Sequence, residues 1–122
     1  MARLVIENED EGVKIPYLCL IDSGADETVS FASIGLDLRL DFKNCPKGKI
    51  GGLAGDLIVY RKKINVIING YEEKIPLEVL WIANKQFDPN TDFTFMIGRK
   101  VFFEKFDVTF QESKKKFYLK PV

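Results

Sequence analysis

The segment Leu20-Ile21-Asp22-Ser23-Gly24-Ala25-Asp26 sets a carboxylic acid, a hydroxyl and a glycine at the end of an apolar run. A carboxylate so placed can take a proton from water or hold one for a substrate, which is general acid–base chemistry. The same residue types are also ordinary turn chemistry, with Asp22 and Ser23 bonding nearby amides and Gly24 supplying a positive φ. Two further segments bear on the choice. Gly48-Lys49-Ile50-Gly51-Gly52-Leu53-Ala54-Gly55 carries four glycines in eight residues between strand-like arms. It lacks the Gly-Lys-Ser/Thr ending and following helix of a phosphate-binding loop and has no G-x-G-x-x-G, so a hairpin tip fits it better. Phe95-Met96-Ile97-Gly98-Arg99 leads an apolar strand into a glycine corner, a common junction between strand and helix.

Composition removes much other chemistry. The chain has no histidine, so no Ser-His-Asp triad, Cys-His pair or histidine zinc site can be built within it. Cys19 lies in an apolar run and Cys45 in a polar stretch; they form neither a CxxC nor a disulfide framework and read as plain thiols. Nothing calls for a metal or an organic cofactor. Lys+Arg and Asp+Glu both number 18, so no long-range field favours nucleic acid or an acidic membrane. Lys114-Lys115-Lys116 reads as a solvated hairpin tip. With no long apolar run and no basic-then-apolar leader, the expectation is a protein of a reducing compartment, the cytoplasm, with no membrane partner within this chain.

The elements that must position these segments read mostly with period two. At 122 residues and 46% hydrophobic, the chain suits one domain, 1–122, around one core. Val13, Ile15, Tyr17, Cys19 and Ile21 mark a strand that becomes apolar on both faces before Asp22. Leu57 to Ile68 is a β-branched strand, and Asn69-Gly70 is the strongest hairpin signal in the chain. Tyr71, Ile75, Leu77, Val79 and Trp81 share one face of the returning strand. Phe106, Val108 and Phe110 alternate into a last hairpin through a polar turn at Glu112 to Lys115. One stretch reads as helix, from about Arg99 to Lys105, where Phe102, Phe103 and Phe106 fall three and four apart. Ile34 to Lys49 and Ala83 to Asp92 read as loops. The sum is an all-β, mostly antiparallel domain with one short helix.

Taken in order and spacing, the three segments resemble the retropepsin-like aspartic protease family. Asp22-Ser23-Gly24-Ala25 matches its D-[ST]-G-A motif, preceded by the usual apolar pair Leu20-Ile21. Ile50 to Gly55 resembles the flap, and Met96-Ile97-Gly98-Arg99 resembles the apolar-apolar-G-[RN] motif before the C-terminal helix. Phe102 to Val108 continues as cellular and retroelement members do, and the likeness spans about residues 13 to 120. Ser23 stands where Thr is commoner, and the loop from Ala83 to Asp92 is longer than in compact viral members. Neither Met1 to Glu9 nor Phe117 to Val122 carries a sign of how a dimer would close.

The resemblance implies a closed acid-protease β-barrel with a flap hairpin and one short C-terminal helix, acting as an aspartic endopeptidase. That chemistry needs two carboxylates sharing one water and one proton. A second D-[ST]-G is absent, since Asp56-Leu57-Ile58 and Asp92-Phe93-Thr94 are acids in the wrong setting. The implied enzyme is therefore a homodimer in which each chain gives Asp22. By the same resemblance Ser23 bonds across the interface and Gly24 keeps the backbone near substrate. The resemblance also implies that Asp26 and Arg99 form a buried, bidentate brace, the alternative being two separate surface charges. Ala25, Ile50, Gly51, Gly52 and Leu53 touch an extended peptide, with Val29, Leu80 and Ile82 as further pocket walls. Two other readings remain at this stage. One is a catalytically silent peptide-binding or dimerisation module on the same fold. The other is a β-barrel nucleic-acid binder, which zero net charge and core-spaced aromatics disfavour.

Overall fold

The period-two segments form strands in the computed structural model, which describes residues 1–51, 55–100, 106–111 and 116–121. In chain order these are β1 (Ala2–Asn8), β2 (Val13–Ile21), β3 (Thr28–Phe31), the helix α1 (Ala32–Asp37), β4 (Lys47–Ile50), β5 (Leu57–Ile67), β6 (Ile75–Ile82), β7 (Phe95–Ile97), β8 (Phe106–Gln111) and β9 (Lys116–Pro121). The main sheet runs β1-β2-β7-β3-β6-β5-β4, and β1 also pairs with β5 through Val5↔Ile67, Ile6↔Val66 and Glu7↔Asn65. That last pairing closes six strands into a barrel and leaves β4 on its rim. Closure removes the free edges that an open sheet would expose.

Period-two patterning decides which side chains fill the barrel. Along β2 the half-buried Val13, Ile15 and Tyr17 alternate with exposed Lys14, Pro16 and Leu18 before Cys19 and Ile21 become buried. Along β6, Ile75, Leu77 and Val79 point inward past exposed Pro76 and Glu78, and from Val79 to Ile82 every residue is buried. Trp81 is fully buried, lies edge-on to Phe95 with centroids 5.6 Å apart, and donates its indole N–H to the Lys62 carbonyl at 3.2 Å. That bond satisfies the one polar atom of the largest buried ring.

Turn chemistry joins the strands largely as expected. Asn69-Gly70 sits in the turn between β5 and β6, with Gly70 at φ +85° and the Tyr71 N–H donating to the Ile68 carbonyl at 3.0 Å. The returning strand starts at Ile75 rather than Tyr71. β8 and β9 form the last antiparallel hairpin, a two-stranded sheet of their own. Residues 101–105, where the sequence predicts the C-terminal helix, and the polar turn at 112–115 lie outside the described residues.

The helix that is described starts at Ala32 and runs into the expected loop from Ile34 to Lys49, and β4 takes that loop's end. Helix α1 has no side-chain cap at its start and a glycine, Gly35, within it. Both depress intrinsic helix propensity, so packing has to stabilise it. Ile34 and Leu38 are buried in the core. A Cβ on Gly35 would stand 2.5 Å from Phe42 Cζ and 3.2 Å from Trp81 Cε3, so the glycine lets two aromatic rings close over the helix. The carboxamide of the buried Asn8, on β1, donates to the Leu38 and Arg39 carbonyls at 2.9 and 3.2 Å and satisfies the helix end. Phe42 follows the helix closely, but Trp81 and Asn8 are far from it in sequence.

Candidate active site

β2 and β3 flank the Asp22-Ser23-Gly24 turn, yet they do not pair with each other. β7 lies between them, parallel to β2 through Cys19↔Phe95, Leu20↔Met96 and Ile21↔Ile97, and antiparallel to β3 through Val29↔Met96 and Ser30↔Phe95. The chain must therefore leave one side of β7 and return on the other, and the turn crosses its end. The Asp22 N–H extends the β2–β7 ladder by one bond to the Ile97 carbonyl, at 2.9 Å. Asp22 Oδ1 accepts the Gly24 N–H at 2.9 Å, and the Ala25 N–H reaches the Asp22 carbonyl at 3.3 Å. A Cβ on Gly24 would lie 3.2 Å from Asp22 Oδ1. The glycine thus gives the carboxylate both a donor and room. Asp22 is half-buried while Ser23 and Gly24 are exposed, so the turn presents its polar groups outward.

The Gly98 corner holds the turn from beneath. The Arg99 N–H donates to the Ala25 carbonyl at 2.7 Å and the Lys100 N–H to the Asp26 carbonyl at 3.1 Å. The buried Gly98 N–H donates to Thr28 Oγ1 at 3.1 Å. A Cβ on Gly98 would fall 2.3 Å from the Glu27 carbonyl oxygen and 2.6 Å from its carbon, contacts that only glycine avoids. The motif glycine is there for close approach of two backbones. Thr28 escaped the sequence reading, because a threonine opening a strand is indistinguishable from any β-former until its partner is known.

Among the described residues no ion pair or hydrogen bond joins the Asp26 and Arg99 side chains. Both side chains are exposed, and the two segments are joined through main chain instead. The ion pair at this corner is Lys100 to Glu27, at 2.6 Å, with the lysine 67% and the glutamate 28% exposed. The hydrogen bond to Glu27 raises the Lys100 ammonium above its ordinary range. So exposed a pair contributes little stability. Its spacing, one residue out of step on both sides from the expected pair, gave no separate signal.

The remaining predicted residues divide by position. Ala25 and Val29 are half-buried beside the turn, whereas Leu80 and Ile82 are closed into the core. Ile50 is 37% exposed at the end of β4, opposite Leu57 of β5, and Gly51 follows it in the open. Gly52 and Leu53 lie outside the described residues. Cys19 is buried three residues before Asp22, and burial pushes its thiol up to about 12, which keeps it protonated and out of contact with solvent. Among the described residues no group of three or more Cys, Asp or Glu side chains could hold a metal ion, and no helix is long and apolar enough to cross a membrane.

No family model matches the sequence, and no curated protein does. The architecture nevertheless has a counterpart: the closed barrel matches the retropepsin-like aspartic protease fold. Among solved structures the chain is similar to the crystal structure of a retropepsin-like aspartic protease from Rickettsia conorii, at a TM-score of 0.56 and 17% sequence identity, over 98% of this chain and 99% of that chain. The likeness is one of fold along nearly the whole length, and the fold class expected from the motifs is the one found.

Proposed function

We propose that the chain is half of an aspartic endopeptidase, with Asp22 of each of two copies meeting on a two-fold axis to share one water. The observation that supports this most is the local geometry of Asp22. Its carboxylate is oriented by the Gly24 N–H and stands on an outward-facing turn braced by the Gly98 corner of a retropepsin-like barrel. One ionised carboxylate would take the proton from water while its protonated partner polarises the scissile carbonyl. Like charges so close disfavour double ionisation, so the two would hold one proton between them and activity would be bell-shaped in pH. The β4–β5 hairpin would serve as the flap, with Ile50 and Gly51 over an extended peptide gripped as an added strand. β1 pairs with β2 along its length and with β5 at Val5, Ile6 and Glu7. The β8–β9 hairpin, separate from the barrel sheet, supplies strand edges that could close a dimer.

The test is cleavage of a mixed peptide library from about pH 3 to pH 8, by the wild type and Asp22→Asn, with pepstatin-type inhibition and sedimentation of the same samples. Cleavage that vanishes in the variant and tracks the dimer fraction establishes the shared pair of carboxylates. A folded dimer that cleaves nothing would replace this reading with a peptide-binding module.

A further inference from the structure

Asn84 lies two residues past the end of β6, exposed, and outside the core. Its carboxamide oxygen accepts the Ile58 N–H at 2.9 Å and its nitrogen donates to the Asp56 carbonyl at 3.1 Å. Beside it, the Ala83 N–H donates to the Ile58 carbonyl at 2.7 Å. Only this orientation of the amide satisfies both groups, since reversing it sets donor against donor and acceptor against acceptor. The β5–β6 register ends at Val59↔Ile82, whereas β4–β5 runs on to Ile50↔Leu57. One side chain thus continues a ladder that the β6 backbone has left, where the hairpin loses its support from the barrel. Gly51 and Gly55, the latter at φ +107°, lie beyond the clamp.

We propose that Asn84 is a positioning residue for the β4–β5 hairpin, fixing the point at which it departs from the barrel and hence how it stands over a bound peptide. The first half rests on the two hydrogen bonds alone; the second rests on the protease reading above. Hinges are few-residue segments that absorb backbone rotation, and a clamp on Asp56 and Ile58 holds the backbone at the base of the hairpin on its β5 side. Without the clamp the hairpin has more conformations to lose on binding, a cost borne by substrate affinity.

Amide hydrogen exchange of the wild type, Asn84→Ala and Asn84→Asp tests the clamp, and steady-state peptide cleavage by the same samples tests its use. In N84A the Ile58 amide is expected to exchange roughly tenfold faster, while amides of β1 and β6 keep their rates. KM then rises several-fold with kcat retained. N84D keeps the acceptor for Ile58 but sets a carboxylate against the Asp56 carbonyl, so its Ile58 rate falls between the other two. An unchanged Ile58 rate in N84A overturns the clamp whatever cleavage does, and so does acceleration spread over β1 and β6, which would mean a general stability role. Faster exchange with KM and kcat both unchanged overturns the substrate half. If the wild type cleaves nothing, the protease reading fails by itself, and exchange still decides the clamp.

Discussion

Gly98 sits where a side chain has no room, and the atom it would strike is the Glu27 backbone carbonyl, which cannot rotate away. Gly98→Ala must displace the active-site turn from β7. It is expected to cost about 1–3 kcal/mol by overpacking, read as a lower urea midpoint, and, on the proposed protease reading, to abolish cleavage. Wild-type stability in that variant would mean the corner can yield. Thr28→Val keeps the shape but removes the acceptor for a buried N–H, with an expected cost of about 1–3 kcal/mol. The cysteines make a separate prediction. Cys19 is buried with its thiol pushed up to about 12, while Cys45 is half-buried. A thiol reagent at neutral pH should modify Cys45 in the native chain and reach Cys19 only after denaturation. Rapid native modification of Cys19 would refute its burial.

Among the elements, β1 shows best how a charge can act as a tie. Glu7, its side chain 4% exposed, meets the Lys74 ammonium at 2.9 Å, accepts from Asn65 Nδ2 at 3.1 Å and lies 3.8 Å from Lys14. It joins β1 to β2, to β5 and to the start of β6. The Lys74 hydrogen bond chiefly, then the Asn65 bond and the charges of Lys74 and Lys14, hold this carboxyl below its ordinary 4.5 against the opposing effect of burial. A carboxyl depressed by folding adds stability that is fully present above its unfolded value and is lost as pH falls through the folded one. The Glu7 contribution should thus fade below pH 4.5. Glu7→Gln should cost roughly 1 kcal/mol at neutral pH and flatten the acid limb of a denaturation series, the lysines being free to rehydrate. A variant whose acid limb is as steep as that of the wild type would show that the tie contributes nothing.

For the whole molecule, the decisive property is that one chain holds one Asp-Ser-Gly turn. If, as proposed, two copies share the site, activity depends on assembly, and specific activity should fall on dilution in step with the dimer fraction measured by sedimentation. Constant specific activity down to fully monomeric samples would rule out the shared site. Within the barrel β1 pairs with β2 along its whole length and with β5 through Val5, Ile6 and Glu7, so its second edge is taken up only at those residues.

Local pattern alone determined the strands of strong alternation, the Asn69-Gly70 turn and the three glycine-bearing segments, because period two and turn residues act between near neighbours. The order of those segments also led to the fold. Helix α1 was illegible, since Gly35 and an uncapped start speak against a helix until Phe42, Trp81 and Asn8 are packed on it. Likewise Asp26 and Arg99 read as a pair, whereas in the folded chain the Arg99 N–H meets the Ala25 carbonyl, the Lys100 N–H meets the Asp26 carbonyl, and Lys100 pairs with Glu27. Thr28 and Asn84 are common polar residues whose roles lie in partners 70 and 26 positions away. Such contacts exist only once β7 has slipped between β2 and β3 and the barrel has closed, because hydrogen-bond partners distant in sequence are chosen by topology and not by local propensity.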